Sequence, residues 1–185
     1  MKFSGSYELN SSKKEVWKNL NDIEVLKKSI DGCQEFLAID NNKYNAKILI
    51  KLGPVNATFR STIAINNITE EESYDIEATG NAGQLGNASG KIKVFLKEFN
   101  NKTVLNYEAD TRINGRIAQL GSRLIDGSVK KNTDLFFQNF SKLLNENNML
   151  NTNDKKDHII IGKMKTFTYL ILLLLIVLFI GLYVR

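Results

Sequence analysis

Histidine, cysteine, proline and tryptophan occur once each in this chain of 185 residues. The lone histidine, His158, stands in a polar stretch near the C-terminus, so a histidine-based metal site or catalytic dyad in a domain before it is excluded. The lone cysteine, Cys33, cannot form an internal disulfide and fits a reducing compartment. Nothing near it in sequence would activate its thiol, and it reads as a small buried filler. Walker loops, Cys-x-x-Cys pairs and Gly-x-Gly-x-x-Gly runs are missing. Gly80, Gly83, Gly86 and Gly90 are spaced too loosely to cradle a phosphate and read as a strand connection. Concentrated basic charge is missing as well: residues 1–146 carry 20 basic and 18 acidic side chains. Nucleic acid is therefore not expected as a partner.

What the chain has in quantity is apolar residues at its end. Phe167 to Val184 is a run of eighteen residues without a charge, closed by Arg185. As a helix it would be roughly 27 Å long, close to the hydrocarbon thickness of a bilayer. It lies at the wrong end for a secretory signal, and a core helix would keep a polar edge. Tyr169 and Tyr183 fall where aromatic rings favour the headgroup level. We expect a tail anchor that makes the protein a single-pass component of the cell membrane. Lys155, Lys156, Lys163 and Lys165 precede the run and only Arg185 follows it, which predicts a cytoplasmic N-terminal part. The same lysines can be drawn to anionic headgroups.

The remaining length suits one domain, expected at 1–145, followed by a polar linker at 146–165 and the anchor at 166–185. Alternation dominates up to residue 114. Phe3, Gly5, Tyr7 and Leu9 share one face of a first strand. Ser12-Lys-Lys-Glu15 matches a capping box, and Asp22 can cap a second short helix that Gly32 ends. Further inward rows follow: Tyr44 to Leu52, a Gly53-Pro54 turn, Ala57 to Ile65, Tyr74 to Ala78, Ala88 to Leu96, and Leu105 to Ile113. One wet and one apolar face per strand indicates an antiparallel sheet covered on a single side.

The cover is a helix expected from Arg116 to Leu144, with Ala118, Ile125, Val129, Phe136, Phe140 and Leu143 on its apolar face and Arg123, Lys130, Asp134 and Gln138 behind. Gly121, Ser128 and Asn132 sit in mid-face, where large side chains would be expected. Interiors are normally filled, so small and polar residues here imply a pocket. In the alternative, the inward aromatics Phe3, Tyr7, Tyr44, Phe59, Tyr74 and Tyr107 fill the space. The expected lining is Tyr7, Ile48, Ile50, Phe59, Ile63, Ile92, Val94 and Tyr107 from the sheet, with Gly121, Ile125, Ser128, Asn132 and Phe136 from the helix.

Several segments carry a resemblance: Met1-Lys2-Phe3-Ser4-Gly5-Ser6, Glu15-Val16-Trp17, Gly53-Pro54-Val55, Ala88-Ser89-Gly90, and above all Ala118-Gln-Leu-Gly-Ser-Arg-Leu-Ile-Asp-Gly127. Together they resemble the CoxG family of carbon monoxide dehydrogenase accessory proteins over residues 1 to about 144. The resemblance implies an α+β helix-grip fold of the START and Bet v 1 kind: a curved antiparallel sheet around a long C-terminal helix, with a cavity between. It also implies an accessory role beside a molybdenum hydroxylase, linking that enzyme to the membrane or its quinone pool. The family's usual Pro-Gly-Cys is here Asp31-Gly32-Cys33, a change that loosens a turn beside the expected cavity mouth.

The function expected is a non-catalytic adaptor, with no catalytic or metal-binding residue and no covalent cofactor, that receives a quinone or lipid-like apolar molecule. The alternatives are a lipid carrier, or an enzyme acting on an apolar substrate with Tyr7, Tyr107 or Asn132 as donor. A flexible linker of ~20 residues would span ~25 Å and keep the cavity near the lipid. Arg123 and Asp126, three apart, read as a solvated pair, or with Gln119 as a docking patch for the partner enzyme.

Overall fold

The structure, a computed structural model, describes residues 1–157, and the side chains of residues 1–146. The apolar run at 167–184 expected to span a membrane lies outside the described residues. Among the described residues no helix is long and apolar enough to cross a membrane. The chain divides into two compact units, Met1–Glu146 and Asn147–Arg185.

Seven strands form one antiparallel sheet: β1 (Lys2–Leu9), β2 (Cys33–Asp40), β3 (Lys43–Leu52), β4 (Val55–Thr69), β5 (Ser73–Asn81), β6 (Asn87–Phe99) and β7 (Lys102–Asn114). Their order is β1-β7-β6-β5-β4-β3-β2, so every neighbour but one is also a sequence neighbour. The register brings the inward rows together across the sheet. Ile65 faces Ile76, Ile76 faces Ile92, Ile92 faces Ala109, and Ala109 faces Phe3. Such cross-strand apolar pairs hold the register, because a slip of one residue would turn each of them to water. Strand β2 escapes the alternation rule. Its Phe36-Leu-Ala-Ile39 run has no period, and bulges interrupt its pairing with β3 at both ends.

Two helices, α1 (Lys13–Leu20) and α2 (Ile23–Ser29), join β1 to β2. Ser12 accepts from the Glu15 amide, and Asp22 accepts from those of Glu24 and Val25, as the capping signals imply. The long helix α3 (Ser122–Asp157) differs from expectation at both ends. Residues Ala118–Leu120 form a 3-10 turn that Gly121 closes at φ +85°, a left-handed conformation natural to glycine, so α3 starts six residues later than Arg116. At the other end helix continues through Asp157, so residues 147–157 are a rod of about 16 Å and not flexible coil.

Large side chains gather in two separate clusters. The greater one joins Leu9, Leu96 and Leu105 of the sheet to Val16, Leu20 and Val25 of α1 and α2 and to Phe137, Phe140 and Leu144 of α3. The lesser one joins Leu52, Ala57, Phe59 and Ile117 near the β3–β4 turn.

Candidate functional site

Between the two clusters the inner face of the sheet is made of small or half-buried residues. Ile63, Ala78, Gly90 and Thr111 are consecutive cross-strand neighbours, and Ser61, Gly80 and Ala88 form the next row, where Ala88 and Gly80 meet the lesser cluster. All seven are only half-buried, although they lie on the face that α3 covers. Ile48 and Ile63 belong to neither cluster and are likewise half-buried. From α3, Ile125 and Ser128 reach 4% and 8% exposure without joining either cluster. An apolar inner face that small side chains leave incompletely covered is the ordinary construction of an apolar ligand site. The inward aromatics divide between the ends: Tyr7, Tyr74 and Tyr107 pack in or against the greater cluster, and Phe59 lies in the lesser. Tyr107 lies over Gly5, where a Cβ would come within 2.5 Å of its ring.

The expected lining thus separates into three groups. Val94, and at its edge Tyr7, Ile92, Tyr107 and Phe136, belong to the greater cluster. Phe59, with Ile50 at its edge, belongs to the lesser. Ile48, Ile63, Ile125, Ser128 and Asn132 belong to neither. Gly121 does not belong to mid-face at all. It is exposed, an added Cβ would meet nothing within 4 Å, and its place is the turn before the helix.

One side of the groove is fixed by a polar contact that sequence alone did not suggest. The Tyr7 hydroxyl donates to Asp134 Oδ1 at 2.6 Å, and Lys130 Nζ donates to Oδ2 of the same carboxylate at 2.7 Å. Tyr7 also stacks on Phe137, with ring centroids 3.8 Å apart. Asp134 and Phe137 are three apart and share a helix face, so one tyrosine meets both. Asp134 is therefore turned toward the sheet and not away from it, and Phe137 is packed deeper than Phe136. The signal available was the i, i+3 pair itself, an acid and an aromatic ring ready for one inward tyrosine.

Electrostatics make these groups supports. Burial, with the Asp134 carboxylate beside it, pushes the Tyr7 hydroxyl well up, which keeps it protonated. Hydrogen bonds from Lys130 and Tyr7 hold the Asp134 carboxyl below its ordinary value. Tyr74, 7% exposed, is pushed up by burial. Asn132 spends an amide proton on the Ser128 carbonyl at 2.8 Å, within its own helix. Cys33 is half-buried, and burial pushes its thiol up. Arg123 and Asp126 are exposed and make no ion pair with each other among the described residues. Asp31 opens a hydrogen-bonded turn. Gly32 adopts φ +74°, and its carbonyl accepts from the Leu49 amide at 2.9 Å.

The outer face of the sheet carries an open groove of about 450 Å³, lined by Thr62, Thr79, Ser89, Lys91, Arg112 and neighbours. Its rim is charged, and Lys91 is paired with Glu77 at 2.7 Å. Such a rim does not suit an apolar molecule.

Residues 5–145 match the family of the carbon monoxide dehydrogenase component CoxG. A search among curated proteins finds no match. Among solved structures, a conserved protein from Geobacillus kaustophilus superposes with a TM-score of 0.75 at 26% identity, covering 79% of this chain and 96% of that one. A START superfamily protein from Mycobacterium smegmatis gives 0.60 at 11% identity, covering 78% and 97%. The Zhui aromatase/cyclase from a Streptomyces species gives 0.59 at 11% identity, covering 78% and 93%. These last two likenesses concern the fold alone, which is START-like.

Proposed function

We propose, since the chain belongs to the CoxG family of carbon monoxide dehydrogenase components, that it is a membrane-attached, non-catalytic partner of a molybdenum hydroxylase of carbon monoxide dehydrogenase type. Family and fold together suggest a ligand-binding accessory protein. In this reading the space between sheet and α3 takes up a quinone or similar lipid-like molecule, and the run at 167–184 holds the domain to the cytoplasmic face of the cell membrane.

The observation that carries the reading is the divided core. Large apolar side chains at the two ends leave small and half-buried ones between them. A ring-and-tail molecule fits that sequence of surfaces, because its apolar body replaces the missing side chains and needs few polar partners. Against catalysis stands the use made of the inward donors: Tyr7 is engaged by Asp134, and Asn132 by its own helix. The test is to extract the full chain from membranes in mild detergent and identify co-purified small molecules by mass spectrometry. A quinone at near-equal molar ratio supports the reading. A phospholipid alone would make the protein a lipid carrier, and an empty protein that also fails to bind added quinone would end the proposal.

A further inference from the structure

Alternate hairpins of a meandering sheet share an end, and here they share an unusual composition. The β2–β3, β4–β5 and β6–β7 turns lie together at one end of the sheet. Each has large apolar side chains exposed beside it: Leu37 and Ile39 at 58% and 52%, Ile68 at 44%, and Phe95 and Phe99 at 38% and 70%. Among the described residues, five of the seven exposed large apolar residues thus stand at this end, while Leu124 and Met1, which is bonded to Thr111 near the end of β7, stand at the other. Scattered exposed apolar residues need no explanation, but one on every hairpin of one end does.

We propose that these hairpin tips are a lipid-docking edge, inserted into the interface of the bilayer to which the proposed function attaches the protein; the inference rests on that attachment. Two observations select lipid over a protein partner. First, α3 leaves the folded unit at this same end: Leu144 is buried with Leu9, Leu96 and Leu105, beside the β6–β7 turn, and the unit closes at Glu146. The chain beyond contains the uncharged run 167–184. Second, the apolar points are separated. Successive tips lie two strands apart, about 10 Å, with polar backbone turns between them. A shaped protein surface would need a pocket for each, whereas a fluid interface accepts them separately.

Charge is not the attraction. Asp40 pairs with Lys43 and Lys102 with Glu8, and the β4–β5 turn carries Glu70, Glu71 and Glu72. Docking is therefore apolar, works on neutral lipid and resists salt.

The test uses the full chain reconstituted in phosphatidylcholine vesicles, with Trp17 left in place as the baseline. Phe99→Trp puts a reporter at the end of β6 and Gln84→Trp puts one in the 3-10 turn Gly83–Leu85 before its start, with the strand of about 40 Å between them. Acyl chains brominated near the headgroup should roughly halve the added emission of F99W and leave that of Q84W unchanged, at low and high salt alike. A chain that floats with the vesicles yet shows no quenching of F99W overturns the docking edge and leaves attachment standing. A chain that does not float overturns both. Equal quenching at the two positions overturns the orientation, and a blue shift of F99W that rises with protein concentration without vesicles assigns the edge to self-association instead.

Discussion

Among the described residues, eleven buried ones from the sheet and all three helices close into one core toward the β6–β7 hairpin; toward the β3–β4 turn, four do. The first end includes Phe140 and Val16 at 0% exposure and is cross-braced, Asn139 of α3 donating to the Ser29 carbonyl of α2. The second is covered by the first turns of α3, where Leu124 leans over Gly53 and remains 42% exposed. The same helix is thus an anchor at its later turns and a thin roof at its earlier ones. Stability need not be uniform along one groove.

The largest effect that would sharpen this contrast is Phe140→Ala, expected to cost about 3–5 kcal/mol because the braced end cannot collapse around the void. Phe59→Ala in the lesser cluster should cost about 2–3 kcal/mol, since its thinner surroundings can relax. Equal losses in urea unfolding would mean that the ends are equally rigid.

Next in size is the response to pH. The raised Tyr74 hydroxyl means that its contribution to stability is whole below about pH 10, the unfolded value, and falls as pH rises beyond it. Tyr74→Phe should flatten that alkaline loss. Asp134 has the opposite sign: its contribution is whole above about pH 4 and declines as pH falls through its depressed value, a decline that Asp134→Asn should remove. Denaturant midpoints measured from pH 3 to 11 check both, and an alkaline slope left unchanged in Tyr74→Phe rejects the first.

Ser128→Phe probes the space between the clusters. Filling a vacant volume should change stability by less than about 1 kcal/mol, whereas overpacking a solid core costs about 1–3. Binding of added quinone should vanish in the same variant. Gly121→Phe cannot serve this purpose, because a bulky residue there meets a strained φ and no packed neighbour. The smallest effect concerns the boundary. A chain ending at Glu146 should remain folded with a melting temperature within a few degrees of the full chain, since the sheet and every described member of both clusters lie before that point.

Much of the fold could be read from alternation, since each inward row from Phe3 to Ile113 lies where the two-residue period puts it. Strand β2 could not, because four consecutive apolar residues carry no period, and its edge position with bulges imposes none. The start of α3 was misplaced because Ala118 and Leu120 continue a helical pattern through a 3-10 turn that only the conformation of Gly121 interrupts. At the candidate site, the helical period placed Ile125 and Ser128 on the inner face of α3, where both are buried. Asp134 was not legible, because a carboxylate in a helix reads as solvent-facing until a tyrosine 127 residues away is placed beneath it.

The strand order has a consequence for how the chain is made. Six strands pair only with sequence neighbours or with β1, so the sheet from β2 to β7 can assemble hairpin by hairpin with little loop-closure cost. β1 is synthesised first yet finds its partner only when Lys102–Asn114 has been made. At about 5–20 residues per second it waits roughly 5–20 s unpaired. Its Lys2, Ser4, Ser6 and Glu8 alternate with the apolar face, giving an early strand that stays soluble while the rest of the sheet catches up.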